Sequence, residues 1–202
     1  MTAAPGIKPP AQRRGAYTKG LRRRQEILDR AIEVFAERGA QGTSLRAIAE
    51  AIGVSHAALK HYFDSREQLL IEVYRAAEER STAGDPPKGE TTVVGVMTHA
   101  ARRNHGVPGL VQLYSTLVAG ALEEGHDEAR TFFSARFAGL REFLADRVRE
   151  EQRAGRIRPD ISPGAAAALV IAASDGLQTQ WLLDPDVDIE ESLTLLESLL
   201  EP

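Results

Sequence analysis

Between residues 55 and 66 the chain carries side chains that suit a nucleic-acid duplex: His56, Ala57, Ala58, Lys60, His61, Tyr62 and Arg66. His56 can donate to or accept from a base edge, and the methyls of Ala57 and Ala58 can meet a thymine methyl. Lys60, Tyr62 and Arg66, with Thr43 and Arg46 upstream, suit phosphate oxygens, which position a protein without reading sequence. Ser44 and Ser55 add hydroxyls at the starts of two short segments, and Arg23 and Arg24 add cations further upstream.

A short basic amphipathic helix is also compatible with a plain surface, so the surrounding elements decide. From Ser44 onward, Ala47, Ile48, Ala51 and Ile52 recur at helical spacing. Thr43 is the expected N-cap, its hydroxyl accepting from a free backbone N–H of the first turn. Gly53 ends that helix, because glycine alone takes a left-handed turn without steric cost. Val54 plugs the corner, and Ser55 caps a second helix over residues 56–62, with Leu59 and Phe63 turned back to hold it. Two short helices joined by a tight glycine turn make a helix-turn-helix, which lays its second helix in the major groove of DNA.

The run from Thr43 to Leu69 contains Ile48-Ala49, Gly53-Val54-Ser55, the Leu59-x-x-Tyr62-Phe63 ending and Asp64-Ser65-Arg66-Glu67-Gln68-Leu69. It resembles the DNA-binding region of the TetR family of bacterial regulators. The close likeness covers residues 20–75, and the remainder matches in its all-helical layout and a few local patterns. Ala57 stands where the family usually has Gly, and Lys60 where it usually has a phosphate-binding Tyr. The resemblance implies an all-α fold, with an N-terminal three-helix DNA-binding domain and a C-terminal helical domain for ligand binding and dimerisation. It further implies a homodimer on a double-stranded, (pseudo)palindromic operator, repression, and release by a small-molecule effector.

Composition agrees with a globular chain: 202 residues, 27% charged and 43% hydrophobic, with no cysteine to make a disulfide, thiolate metal site or thiol nucleophile. No apolar run reaches membrane-spanning length and no signal core precedes the first helix, so a cytoplasmic protein without a membrane partner is expected. The net charge of −4 hides an asymmetry. Residues 1–66 hold 12 Lys/Arg against 6 Asp/Glu, whereas residues 67–202 hold 13 against 23. A basic N-terminal third directs one end of the molecule toward phosphate.

In chain order, residues 1–18 read as a flexible basic arm, residues 19–64 as the DNA-binding domain and residues 65–202 as a connector helix with the ligand-binding and dimerisation domain. The first helix is expected over 19–38, with Arg22, Arg23 and Arg24 near its start. Cations there oppose the helix dipole, a cost that a phosphate partner would explain. Ser65 with Gln68 forms a capping box for the connector over 65–80. After the Gly84–Gly89 punctuation, helices are expected over 91–104, 110–124, 127–154, from Ser162-Pro163 to Asp184, and from Asp188 to the C-terminal leucines. That makes nine helices and no strand.

Large apolar and amphipathic residues on four of these helices would, by the family resemblance, line an effector cavity: Met97, His99, Leu113, Tyr114, Leu117, Phe132, Phe133, Phe137, Gln178 and Trp181. Residue by residue such a stripe is more often core than pocket. An aromatic lining would favour an apolar or aromatic effector. His105, Arg102 and Arg103 could add polar contacts. The last two helices suit a four-helix bundle with a second copy through Leu169, Val170, Ala173, Leu177, Leu193, Leu196, Leu199 and Leu200.

An enzyme is not expected. The histidine pairs lack a carboxylate that completes a metal set, and there is no Gly-rich phosphate loop or nucleophile elbow. Asp184-Pro185-Asp186-Val187-Asp188 lacks the glycine of a calcium loop, so it reads as a turn and helix cap. No metal and no cofactor are expected. The competing readings are an activator or constitutive DNA-binding protein without a ligand, and a small helical enzyme or ligand carrier.

Overall fold

The computed structural model describes residues 11–38, 44–82, 92–107 and 109–202. Among them the chain is all-α: α1 Ala11–Arg38, α2 Leu45–Ala51, α3 His56–Tyr62, α4 Arg66–Thr82, α5 Val93–His105, α6 Leu110–Gly120, α7 Asp127–Arg153, α8 Pro163–Leu183 and α9 Ile189–Ser198.

Helix starts follow short polar caps. Ser44, Ser55, Thr92, Ser162 and Asp188 each accept a backbone N–H of the turn they open, satisfying a donor that has no intrahelical partner. Ser44, not Thr43, therefore caps α2, and Thr43 lies outside the described residues. The first helix begins at Ala11, so residues 11–18 are helical rather than a flexible arm. Ala, Gln and Arg there are strong helix formers, and one interior glycine costs only about 1 kcal/mol. The rest of the expected arm and the Gly84–Gly89 punctuation fall outside the described residues. α6 stops at Gly120, short of Glu124, because Leu122 and Glu123 bond to the carbonyls of Ala119 and Gly120 and tighten the chain into turns.

The buried side chains form two groups. In the first, Ile27, Leu28, Ile48, Leu59 and Phe63 of the N-terminal helices meet Leu69, Leu70 and Val73 of α4, and the group continues into α6 and the start of α7. α1 packs along α4, so the connector completes the core beneath the helix-turn-helix. The second group joins α5, the end of α7, α8 and α9 around Val93, Leu144, Val148, Val170 and Leu193. Within it Glu151 is buried and accepts the Val93 N–H at 2.7 Å. Burial pushes its carboxyl above the usual range against the pull of that bond and of Arg156 and Arg147. No described helix is long and apolar enough to cross a membrane.

Candidate nucleic-acid interface

The turn between α2 and α3 is built by backbone chemistry that only one residue type suits. Gly53 sits at φ +71°, its N–H donates to Glu50 O at 3.1 Å, and the Val54 N–H donates to Ala49 O at 2.9 Å. This pair of bonds is a Schellman closure, with glycine in the left-handed position. A partner from α1 fixes the corner from outside: Arg30 Nη1 donates to Ile52 O at 3.0 Å. Gly53→Ala is therefore expected to lower stability by about 1–2 kcal/mol, because a Cβ is strained at that φ while little else crowds it. A shift of the urea midpoint at constant slope checks this.

Ser55 Oγ accepts the Ala58 N–H at 3.1 Å and starts α3, and Leu59 is fully buried beneath the helix. His56, Ala57, Ala58, Lys60 and His61 are exposed, and Tyr62 is half-buried with its ring edge-on to His61 at 5.1 Å. Lys60 and His61 occupy the last turn, where a cation is favoured by the helix dipole. Arg46 and Ser44 are exposed on α2, and Ser44 Oγ is engaged as its cap. The helix thus shows a face of imidazoles, methyls and an ammonium while its leucine anchors it.

Of the expected phosphate partners, Arg24 and Arg66 are half-buried and Arg23 is exposed. Arg24 lies over the Phe63 ring at 5.1 Å and pairs with Glu72 of α4 at 2.9 Å, a tie between helices of the core. Arg23 is exposed but pairs with Glu26, one turn along α1, at 2.9 Å. Arg66 is half-buried and borders a groove formed with α6 and α8, and burial lowers the pKa of its guanidinium. Arg24 and Arg66 are half-buried because each lies three and four residues ahead of core positions on its own helix, Ile27 and Leu28 on α1 and Leu69 and Leu70 on α4.

Among the described residues, the expected effector residues are divided between the two cores and the edges of separate grooves. Leu113, Tyr114, Leu117 and Phe133 are buried in the first core with Phe132 and Phe137 at its edge, and Met97 is buried in the second. Leu117 borders a groove of ≈ 740 Å³ between α4, α6, the start of α7 and the end of α8. Phe132 borders one of ≈ 790 Å³ between α4 and α7, and Trp181 one of ≈ 410 Å³ beside the α8–α9 turn. Gln178 is buried and satisfied, accepting from Asn104 Nδ2 at 3.1 Å and donating to Ser174 O at 3.2 Å. Trp181 stacks on His105 at 3.8 Å, and Arg102 is engaged by Glu190 at 2.6 Å. His99 is half-buried on α5.

A polar network that the sequence did not announce threads the aromatic core. Arg136 pairs with Glu78 at 2.7 Å and lies over the rings of Tyr74 and Tyr114, and the Tyr114 hydroxyl donates to Asp175 Oδ2 at 2.8 Å. Burial raises the Asp175 carboxyl above its usual range, although the Tyr114 bond and Arg136 pull it down. With the folded-state pKa raised, the stabilising contribution of this group is complete at pH below its unfolded pKa. It is lost as pH rises through the folded one. Asp175→Asn is expected to flatten stability over that acidic window, and thermal melts of both proteins across it check the sign.

Of the expected dimer residues, Val170, Leu193 and Leu200 fill the chain's own core. Leu169 and Leu199 are 62% and 63% exposed, and Ala173, Leu177 and Leu196 are half-buried. Neighbouring positions on a helix differ by about 100° in direction, so Leu169 and Val170 cannot share a face.

Two family models match the chain: bacterial regulatory proteins, tetR family, over residues 27–73, and BetI-type transcriptional repressor, C-terminal, over residues 114–201. The HTH-type transcriptional repressor Rv1474c of Mycobacterium tuberculosis is 30% identical over 157 residues, which cover 77% of this chain and 80% of that protein. The HTH-type transcriptional regulator UidR of Escherichia coli (strain K12) is 26% identical over 156 residues, covering 76% and 79%. Among solved structures, Salmonella enterica GusR superposes with a TM-score of 0.70 at 22% identity, over 89% of this chain and 94% of that one, a likeness of fold.

Proposed function

This chain belongs to the tetR family of bacterial regulatory proteins, and on that footing we propose that the DNA-binding transcriptional regulator described above is a repressor. It occupies a (pseudo)palindromic operator as a homodimer and leaves it when a small apolar or aromatic effector binds. The observation that carries the reading is α3, with His56, Ala57, Ala58, Lys60 and His61 exposed above a buried Leu59. Two copies would set their α3 helices in successive major grooves about 34–36 Å apart. The seam best suited to pairing is the exposed side of α8 and α9, through Leu169, Ala173, Leu177, Leu195, Leu196 and Leu199. The effector would seat in the groove between α4, α6 and α8, because α4 leads directly to the recognition helix. It shifts the balance only by its differential affinity for the two arrangements of α4.

The filled aromatic core favours, as a second reading, a regulator that needs no ligand. Operator affinity unchanged across a metabolite panel would select it. The DNA-binding reading itself is tested by gel shift. Lys60→Ala and Arg46→Ala are each expected to weaken duplex binding and to reduce the salt slope by about 1 while leaving the fold intact. Unchanged affinity and unchanged salt slope in both variants would remove its basis.

A further inference from the structure

α4 and α7 meet at their N-terminal ends, and each lends its opening residue to the other. Ser65 opens α4: its Oγ accepts the Gln68 N–H at 2.9 Å, and it also donates to Glu128 Oε2 at 3.0 Å. His126 opens α7, makes no cap bond to its own helix, and instead places Nδ1 at 2.8 Å from Glu67 Oε1. Glu67 and Glu128 are each the second residue of their helices, so the two contacts are reciprocal: the cap of one helix holds the first-turn carboxylate of the other.

The α7 side of this joint is firmly shaped. Arg130 donates from Nε to Ala121 O at 3.2 Å and from Nη2 to Glu123 O at 3.3 Å, tying the α6–α7 turn to α7. Gly125 at φ +85° lets that turn reverse just ahead of His126. The α4 side is the end of the DNA-reading unit, since only Phe63, Asp64 and Ser65 separate α3 from α4. Gln68 Oε1 accepts the Asp64 N–H at 2.7 Å and ties that short link to the same turn of α4. Glu67, Glu123, Asp127 and Glu128 bring four carboxylates to the joint beside Arg66 and Arg130; the His126 imidazole and the Ser65 hydroxyl engage Glu67 and Glu128, and the Glu123 carboxylate lies 3.9 Å from His126 Nε2.

We propose that Ser65, Glu67, His126 and Glu128 form a reciprocal latch that sets the orientation of α3 relative to the C-terminal helices, with His126 as its principal positioning residue. The proposal rests on the DNA-binding reading for its consequence, although the geometry of the latch does not.

The test uses the full chain, which lacks cysteine, so labels can be placed at will. Spin labels on Ala58→Cys in α3 and Ala138→Cys in α7, in DNA-free protein diluted with unlabelled chain, report the orientation as a distance distribution, and duplex binding is measured separately on the unlabelled chain. His126→Ala and the milder Glu128→Gln are expected to broaden or shift it and to weaken duplex binding by roughly 5-fold or more. The exchanged pair, Glu67→His with His126→Glu, is expected to restore both. Loss of thermal stability with the distance distribution or the affinity unchanged in both variants would overturn the latch, because a purely structural contact behaves that way. If the parent chain binds no duplex, the DNA-binding reading fails instead, and the distances still judge whether the latch orients α3.

Discussion

Phe133→Ala is expected to destabilise the folded chain by about 3–5 kcal/mol. The ring is buried and has ring neighbours on every side: Phe132 at 4.9 Å, Tyr114 at 5.7 Å, Tyr74 at 6.1 Å and Phe137 at 6.5 Å between centroids. Truncation removes these contacts and leaves a cavity that α4, α6 and α7 cannot close, because Arg136 and Glu78 clamp α7 to α4 above it. Against a total stability of about 5–15 kcal/mol, that is a large share. A guanidinium titration reads it directly. The size of the loss also discriminates between core and pocket. A Phe133 lining a hollow effector site would lose few contacts on truncation, and the change would then stay well under 2 kcal/mol.

The second large effect is expected from Leu169→Glu combined with Leu199→Glu. Both side chains are mostly exposed in the single chain, so the substitutions leave the monomer's core untouched. If α8 and α9 form the seam between two copies, four leucines leave water on pairing. At about 1.5–3 kcal/mol each, that is about 6–12 kcal/mol of driving force replaced by four carboxylates. The variant is expected to sediment as a folded monomer. Its operator affinity is expected to fall by about 100-fold or more, since a lone reader forfeits its second half-site. A variant that remains dimeric would move the seam elsewhere. The matching change at Val170 would not be informative, because that residue is inside the chain and its loss would unfold it.

What the sequence disclosed was local. Gly53 and Ser55 announced their turn and cap because the chemistry of both is complete within five residues: a left-handed glycine, and a hydroxyl three residues ahead of its donor. Ser162-Pro163 and Asp188 with Glu191 marked the last two helices for the same reason. What it withheld depends on partners far along the chain. Arg30 reaches the Ile52 carbonyl across 22 residues, and His126 reaches Glu67 across 59. No spacing rule carries such pairs. Arg24 shows the consequence: read as one of three arginines at a helix start, it suited phosphate, but Glu72 and the Phe63 ring claim it. Of the expected dimer residues, Val170, Leu193 and Leu200 are turned into the chain's own core by helical phase. Leucines and valines on α8 and α9 were equally apolar, and only the packing against α5 and α7 decides which side looks out. Tyr114 and Phe133 read as a lining by resemblance, and in the structure they are buried in the first core, with Phe132 and Phe137 packed at its edge.

The most direct measurement is selection of bound fragments from a random double-stranded DNA pool by the purified chain at moderate salt. The expected result is enrichment of one two-fold symmetric site. Its half-sites should be separated by one helical turn or a multiple of it, and selection should collapse when Lys60 and Arg46 are both alanine. Recovery of no enriched sequence, with no retardation of any duplex in dilute buffer, would contradict the claim that α3 is a reader of DNA.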